Sequence, residues 1–301
     1  MKEKAKIYFF NPYPGIGGAD TTIHKFIESI NLKKFDVEYI LLKKKNILLP
    51  KKIKITQIHS NSTFLSFFEL LKIIKKDKNK KKIFFSMQYF VNVWTIIFMK
   101  ILLNIRTFIY EINHLDELKY HRNIKEFFKK KLIFLLVKVF YKYSDIVAAN
   151  SKETSIELSN YTKKKVITIY NPCFEKIINK KRKYKKNTKL KILNIARLTE
   201  QKDQLTILKA INNSNFKNKI KLTIVGFGHL KIKLLNYIKK KKIDCEIIEN
   251  KTSLKYYYSN NDLFVFSSIY EGLGNVLIDA TNYKLPVITS NCKSGPSEII
   301  D

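Results

Sequence analysis

Residues 270–279 read YEGLGNVLID, with two carboxylates, Glu271 and Asp279, eight positions apart around two glycines and directly after the apolar run DLFVFSS at 262–268. A strand, a tight glycine turn and a helix start in that order make poor core and good ligand-binding material. Gly272 and Gly274 permit the turn, and Asn275 and Val276 open a helix whose first N–H groups lack intrahelical acceptors. Glu271 is placed to accept from sugar-type hydroxyls. Asp279 lies one turn or so into the helix, beyond a bound phosphate, where a carboxylate accepts from a vicinal diol such as a ribose.

A second constellation is ARLTEQKD at 196–203. Arg197 follows a strand directly and Lys202 is five residues on, near a helix start. Two fixed cations at the mouth of a cleft suit a diphosphate, whose charge they offset in substrate and leaving group. A third is NPYPGIGGADTTIHKF at 11–26, where Gly15, Gly17 and Gly18 lead from a strand into a helix carrying Asp20, Thr21 and Thr22. Such a turn lets a ligand approach backbone N–H groups. Glycines there are also often only geometric, and the GxGxxG spacing of dinucleotide binding is absent.

These residues need strands and helices to hold them. The first half offers AKIYFF (5–10), VEYILL (37–42), IKITQI (53–58), KIFFS (82–86), TFIYEI (107–112), DIVAA (145–149) and VITIY (166–170). The second offers KILNIA (191–196), KLTIVG (221–226), CEIIE (245–249), DLFVFSS (262–268) and PVITS (286–290). Continuous apolar strands separated by helical periods predict parallel sheets covered on both faces. The fold class is therefore α/β: two tandem Rossmann-like, doubly wound parallel-sheet domains. The lysine-dense stretch EKIINKKRKYKKNTKLK (175–191) reads as a linker or a solvated loop. The predicted boundaries are 1–174 for the first domain, 175–190 for the linker and 191–301 for the second domain. In such sheets ligands sit at the carboxyl ends of the strands, which is where the three constellations lie.

Composition narrows the partners. The 301 residues carry 58 basic against 25 acidic side chains, a net +33, yet 45% are apolar, which describes a folded chain with a basic surface. Only Arg106, Arg122, Arg182 and Arg197 are arginine. Nucleic-acid readers favour arginine, so nucleic acid is not an expected partner; an anionic membrane face, which attracts lysine, is the better use of the excess. Cys173, Cys245 and Cys292 have no metal spacing and fit a reducing cytoplasm. The apolar stretches 91–110 and 132–143 are interrupted by Lys100 and Arg106 or are too short to span a bilayer, and read as buried or interfacial helices.

EGLGNVLIDA resembles the E-x7-E element of GT-B fold glycosyltransferases of family 4. The likeness extends to GGAD, SDIVAANSK, IYNP, ARLTEQKD, LTIVGFG and PVITSNCKSGPSEII, essentially the whole chain. It implies a retaining transferase that moves a hexose or N-acetylhexosamine from a nucleotide-sugar donor, UDP-linked, to a glycan or polyprenyl-linked acceptor, at the inner face of the cytoplasmic membrane. No cofactor or metal is implied for the chemistry. Arg197 and Lys202 would hold the donor diphosphate and Glu271 the donor sugar. Gly274, Asn275 and Val276 would cradle sugar and phosphate, Asp279 would take the ribose, and Gly17 would let phosphate or acceptor approach. The resemblance has three departures. Asp279 replaces a glutamate and is one methylene shorter. The histidine usual after the strand TFIYEI falls among Glu111, Asn113 and His114, with His114 the candidate catalytic residue. The chain stops at Asp301 where relatives continue, so a truncated second domain with an open edge at PVITS is expected. The competing expectation is a binding protein: an inactive truncated transferase, or a basic protein that binds nucleic acid or membrane.

Overall fold

The structure, a computed structural model, describes residues 4–13, 18–42, 53–172, 189–249 and 254–300. Gly15, Gly17 and nearly all of the lysine-rich stretch 175–190 lie outside them. The chain divides into two compact units, Met1–Pro172 and Cys173–Asp301.

The first unit is built on seven parallel strands, Ala5–Phe10 (β1), Phe35–Leu41 (β2), Lys54–Gln57 (β3), Lys82–Met87 (β4), Arg106–Glu111 (β5), Ile146–Ala149 (β6) and Ile167–Thr168 (β7), in the order β3-β2-β1-β4-β5-β6-β7. Helices Gly18–Ser29 (α1), Thr63–Lys76 (α2), Tyr89–Thr95 (α3), Ile124–Phe140 (α4) and Lys152–Thr162 (α5) connect them. The second unit has five parallel strands, Leu190–Ile195 (β8), Ile220–Val225 (β9), Cys245–Ile248 (β10), Leu263–Phe266 (β11) and Val287–Thr289 (β12), in the order β10-β9-β8-β11-β12. Its helices are Gln204–Asn213 (α6), Lys231–Lys241 (α7), Lys255–Asn260 (α8), Asn275–Asn282 (α9) and Pro296–Ile299 (α10). All twelve strands fall on the runs expected from the sequence. The edge strand β12 leaves Ile288 58% exposed.

The strands are apolar throughout because both faces are covered, and successive side chains serve opposite layers. In β1, Tyr8 and Phe10 join Ile40, Phe84 and the α2 residues Phe67, Leu70 and Ile74, while Phe9 turns to the other face with Phe85, Tyr39 and the α1 residues Ile23 and Ile27. The second unit repeats the device. Ile192 and Ile224 pack with α6 and α7, and their neighbours Leu193 and Val225 pack with Tyr258, Phe264 and the α9 residues Leu277 and Ala280.

Helix boundaries follow side-chain chemistry. The side chains of Ser62, Asn123 and Ser151 accept from the third residue on, capping α2, α4 and α5. Of the buried or interfacial helix expected after β4, the structure shows the buried form: α3 continues into a wider π turn, Ile96–Ile101, with Val93, Ile96 and Met99 buried. Among the described residues no helix is long and apolar enough to cross a membrane.

One buried charge-capable group stands at the end of β5. Glu111 is fully buried and receives hydrogen bonds on Oε1 from Asn92 Nδ2 (2.7 Å) and from the Tyr141 hydroxyl, while Ser86 Oγ donates to Asn92 Oδ1 (2.6 Å). Burial outweighs these donors and holds the carboxyl well above its ordinary 4.5, so the folded chain keeps it protonated where the unfolded chain ionises it. The sign follows: the folded state binds the extra proton, so this group's contribution declines as pH rises above 4.5 towards the folded value, by up to about 1.4 kcal/mol per pH unit. Glu111→Gln keeps the acceptor and removes the titration. Urea unfolding across a pH series above 4.5 should show wild type losing stability relative to the variant as pH rises; parallel curves would contradict a neutral Glu111.

Candidate functional site

In an open α/β sheet the crevice lies where strand order reverses, because the loops leaving the two central strands diverge there. In the second unit that point is between β8 and β11. The loop after β8 carries Arg197 and Lys202; the loop after β11 carries Glu271. Sequence distance of some 70 residues is erased by this topology.

The two loops are fastened to each other. Lys202 and Glu271 form an ion pair through Nζ and Oε1, with side chains 13% and 7% exposed. Gln201 Nε2 donates to Tyr270 O (3.0 Å), Ser267 Oγ donates to Lys202 O (2.8 Å) and Ile269 N donates to Gln201 O (2.8 Å). Arg197 stands exposed beside this junction, Nη2 donating to Gln201 Oε1 at 3.3 Å. Thus the Lys202 charge is matched by a carboxylate, whereas the guanidinium meets a neutral amide. Among the described residues no ion pair involves Arg197.

Backbone geometry brings a third and a fourth loop in. A Cβ on Gly226, after β9, would lie 1.9 Å from Ala196 O, so only glycine lets β9 run tightly beside the start of the Arg197 loop. Gly274 has φ +78 and precedes α9, so the helix begins at Asn275 with Val276 next. Ser294, at φ +65, donates from Oγ to Gly272 O (2.6 Å), which pins the SGPSE segment against the Glu271 turn. Two non-glycine residues in the left-handed region, Asp203 (φ +41) and Ser294, thus flank the site loops. Such backbone persists only where surroundings fix it.

Asp279 is half-buried on α9, and its charge, after burial, helps push the phenols of Tyr258 and Tyr283 up; those rings stack at 5.1 Å. Cys292 is a packing residue beside the pair: burial and the Glu271 carboxylate push its thiol up to about 11.

His114 belongs to the first unit and is 1% exposed at the start of the short turn Leu115–Leu118. Asp116 N donates to its Nδ1 at 3.2 Å and its Nε2 lies 2.7 Å from Glu157 Oε2. A proton on Nε2 satisfies both contacts. His114, Asp116 and Glu157 have ligand-type atoms within 4.8 Å of one another. Those atoms are already committed, since Leu115 N also donates to Glu157 Oε2 (3.3 Å) and Lys119 pairs with Asp116 (2.5 Å). The cluster is a hydrogen-bonded clip for the loop. Asn113 Nδ2 donates to Glu117 (2.9 Å).

Sequence reasoning singled out Arg197, Lys202, Glu271, Gly274, Asn275, Val276 and Asp279, and the fold brings Arg197, Lys202 and Glu271 together on two linked loops at the strand-order reversal. It missed Gln201, Ser267 and Ser294. Gln201 sits inside TEQKD beside Lys202, and Ser294 beside Gly295 in SGPSE; a polar residue next to each assigned motif was the available signal.

Residues 175–301 match the family described as Glycosyl transferases group 1. The chain is 34% identical over 191 residues to an uncharacterized glycosyltransferase of Methanocaldococcus jannaschii, covering 58% of this chain and 47% of that protein. It thus spans about half the length of that relative. It is 27% identical, over 95% of this chain and 80% of the other, to the N-acetylgalactosamine-N,N'-diacetylbacillosaminyl-diphospho-undecaprenol 4-alpha-N-acetylgalactosaminyltransferase of Campylobacter jejuni. The fold is also that of the pneumococcal O-GlcNAc transferase GtfA solved with UDP and GlcNAc, at TM-score 0.71 and 10% identity over 99% of this chain and 86% of that one. The architecture, two α/β units on parallel sheets of seven and five strands, is therefore GT-B.

Removing one member of the pair strands a buried charge, at a cost of about 3 kcal/mol. Glu271→Gln should lower unfolding stability by about that amount, whereas Arg197→Ala, on the surface, should stay within about 0.5 kcal/mol of wild type. Denaturant unfolding of both variants checks the contrast.

Proposed function

We propose that this chain is a glycosyltransferase. It transfers a hexose or N-acetylhexosamine from a nucleoside-diphosphate sugar, UDP-linked, to a lipid-linked or surface-polysaccharide acceptor, with retention at the anomeric carbon. The observation that carries the reading is the uncompensated Arg197 guanidinium beside the Lys202–Glu271 pair at the strand-order reversal of the unit that matches the group 1 family.

The chemistry follows from charge. A diphosphate leaving group gains negative charge as its bond to the sugar breaks, so cations already fixed at its oxygens stabilise the transition state more than the ground state. Arg197 supplies planar paired donors, and Lys202 a compact charge held in place by Glu271. The carboxylate has acceptor capacity beyond Lys202 and takes donor-sugar hydroxyls. The start of α9, at Gly274, Asn275 and Val276, adds amides and the positive helix end, and Asp279 accepts from the ribose. None of these roles needs a divalent metal. Gly17, in the first unit, is assigned to the phosphate or acceptor side. The Campylobacter relative's name specifies a diphospho-undecaprenol acceptor, and the pneumococcal structure holds UDP. The first supports a lipid-carried acceptor and the second a UDP donor.

Purified chain incubated with a panel of UDP-sugars and a polyprenyl-diphosphate-linked glycan should release UDP. Arg197→Ala should lower kcat/KM by about a hundredfold, about 2.7 kcal/mol. Unchanged turnover in that variant, or no UDP release from folded protein with any sugar of the panel, would overturn the assignment.

A further inference from the structure

Among the described residues, helix α4 presents an unpartnered face with a regular order. Ile124, Phe128, Leu132, Leu135 and Val139 are 70%, 63%, 54%, 56% and 42% exposed. At about 100° per residue they fall within one arc of about 80°, running some 22 Å along the helix at about 1.5 Å per residue. Their spacing is that of a buried helix face, yet Ile133 and Val137, on the opposite side, are the residues that meet the core.

Charge borders the stripe on both sides. In the same projection Lys131 and Lys138 lie along one edge and Lys125 and Lys129 along the other, all exposed. Glu126, the one acid of α4, points away from the stripe and is bound by Arg122 N (2.9 Å) and Lys130 Nζ (3.2 Å). Tyr120 and Tyr143, beyond the two helix ends, are each 47% exposed, as amphipathic rings are at a membrane–water boundary.

We infer that this face of α4 is a docking surface for an anionic lipid bilayer, with the five apolar side chains entering the headgroup boundary and the lysine rows meeting lipid phosphates. A second copy of the chain is the poorer occupant. Pairing two such faces sets lysine rows against lysine rows in a molecule of net charge +33, and one helix stripe falls short of the area a stable dimer interface buries. The inference supplies the surface for the membrane attachment in the proposed function, and stands or falls apart from the donor chemistry.

The test is flotation of the full chain with vesicles of phosphatidylcholine plus phosphatidylglycerol and with vesicles of phosphatidylcholine alone. Wild type should float with the anionic vesicles and far less with the neutral ones. Phe128→Ser with Leu135→Ser should weaken anionic binding by about tenfold or more, with Tm unchanged because both side chains are exposed. Lys125, Lys129, Lys131 and Lys138, all changed to Gln, should erase the difference between the two vesicle types. Absence of wild-type flotation, equal flotation of the apolar variant, or a wild-type dimer that the apolar variant makes monomeric would overturn it. UDP release from a soluble donor should be unchanged in both variants, so failure here is distinguishable from failure of the transferase reading.

Discussion

The second unit depends on one ion pair. Lys202 and Glu271 are nearly excluded from solvent, and burying two charges costs several kcal/mol per ion unless geometry and further hydrogen bonds offset it. The offset here comes from the cross-links between the same two loops: Gln201 to Tyr270, Ser267 to Lys202 and Ile269 to Gln201. An apolar pair would hold two loops more cheaply. The ionic one keeps a cation and a carboxylate fixed at the strand-order reversal, where the charged ligand of the proposed function would meet donors and acceptors that need little reorganisation.

Arg197 gains its significance from that arrangement. It is exposed and hydrogen-bonded to Gln201, which in turn holds the Glu271 loop, so its position is tied to the pair without its charge being cancelled. The site therefore carries a net positive centre next to a neutralised one. That asymmetry suits a ligand with a multiply charged diphosphate on one side and hydroxyl-rich sugar on the other.

Much of this was legible in the sequence, for a physical reason. Parallel strands buried on both faces must be apolar at every position, and runs such as KIFFS and DLFVFSS announce themselves. The glycine turn at Gly272–Gly274 and the carboxylates around it were equally visible. Strand order was not, since nothing local in KILNIA and DLFVFSS says that β8 and β11 are neighbours. Gln201 escaped notice because its role depends on that adjacency. His114 was visible as a residue type, but its burial between Asp116 and Glu157 comes from packing against α5. Helix α4 shows the limit most clearly: an apolar, lysine-rich stretch admits core or interface, and only the side facing the sheet separates Ile133 and Val137 from Phe128 and Leu135. Its two apolar faces conceal each other in the sequence.

The most direct measurement is calorimetric titration of UDP and of UMP into wild type and Arg197→Ala. The two ligands differ by one phosphate, so their affinity ratio isolates what the crevice contributes to the second phosphate. The account predicts much tighter binding of UDP than of UMP by wild type and a ratio falling towards one in the variant. A ratio left unchanged when Arg197 is removed would contradict the claim that this crevice grips a diphosphate.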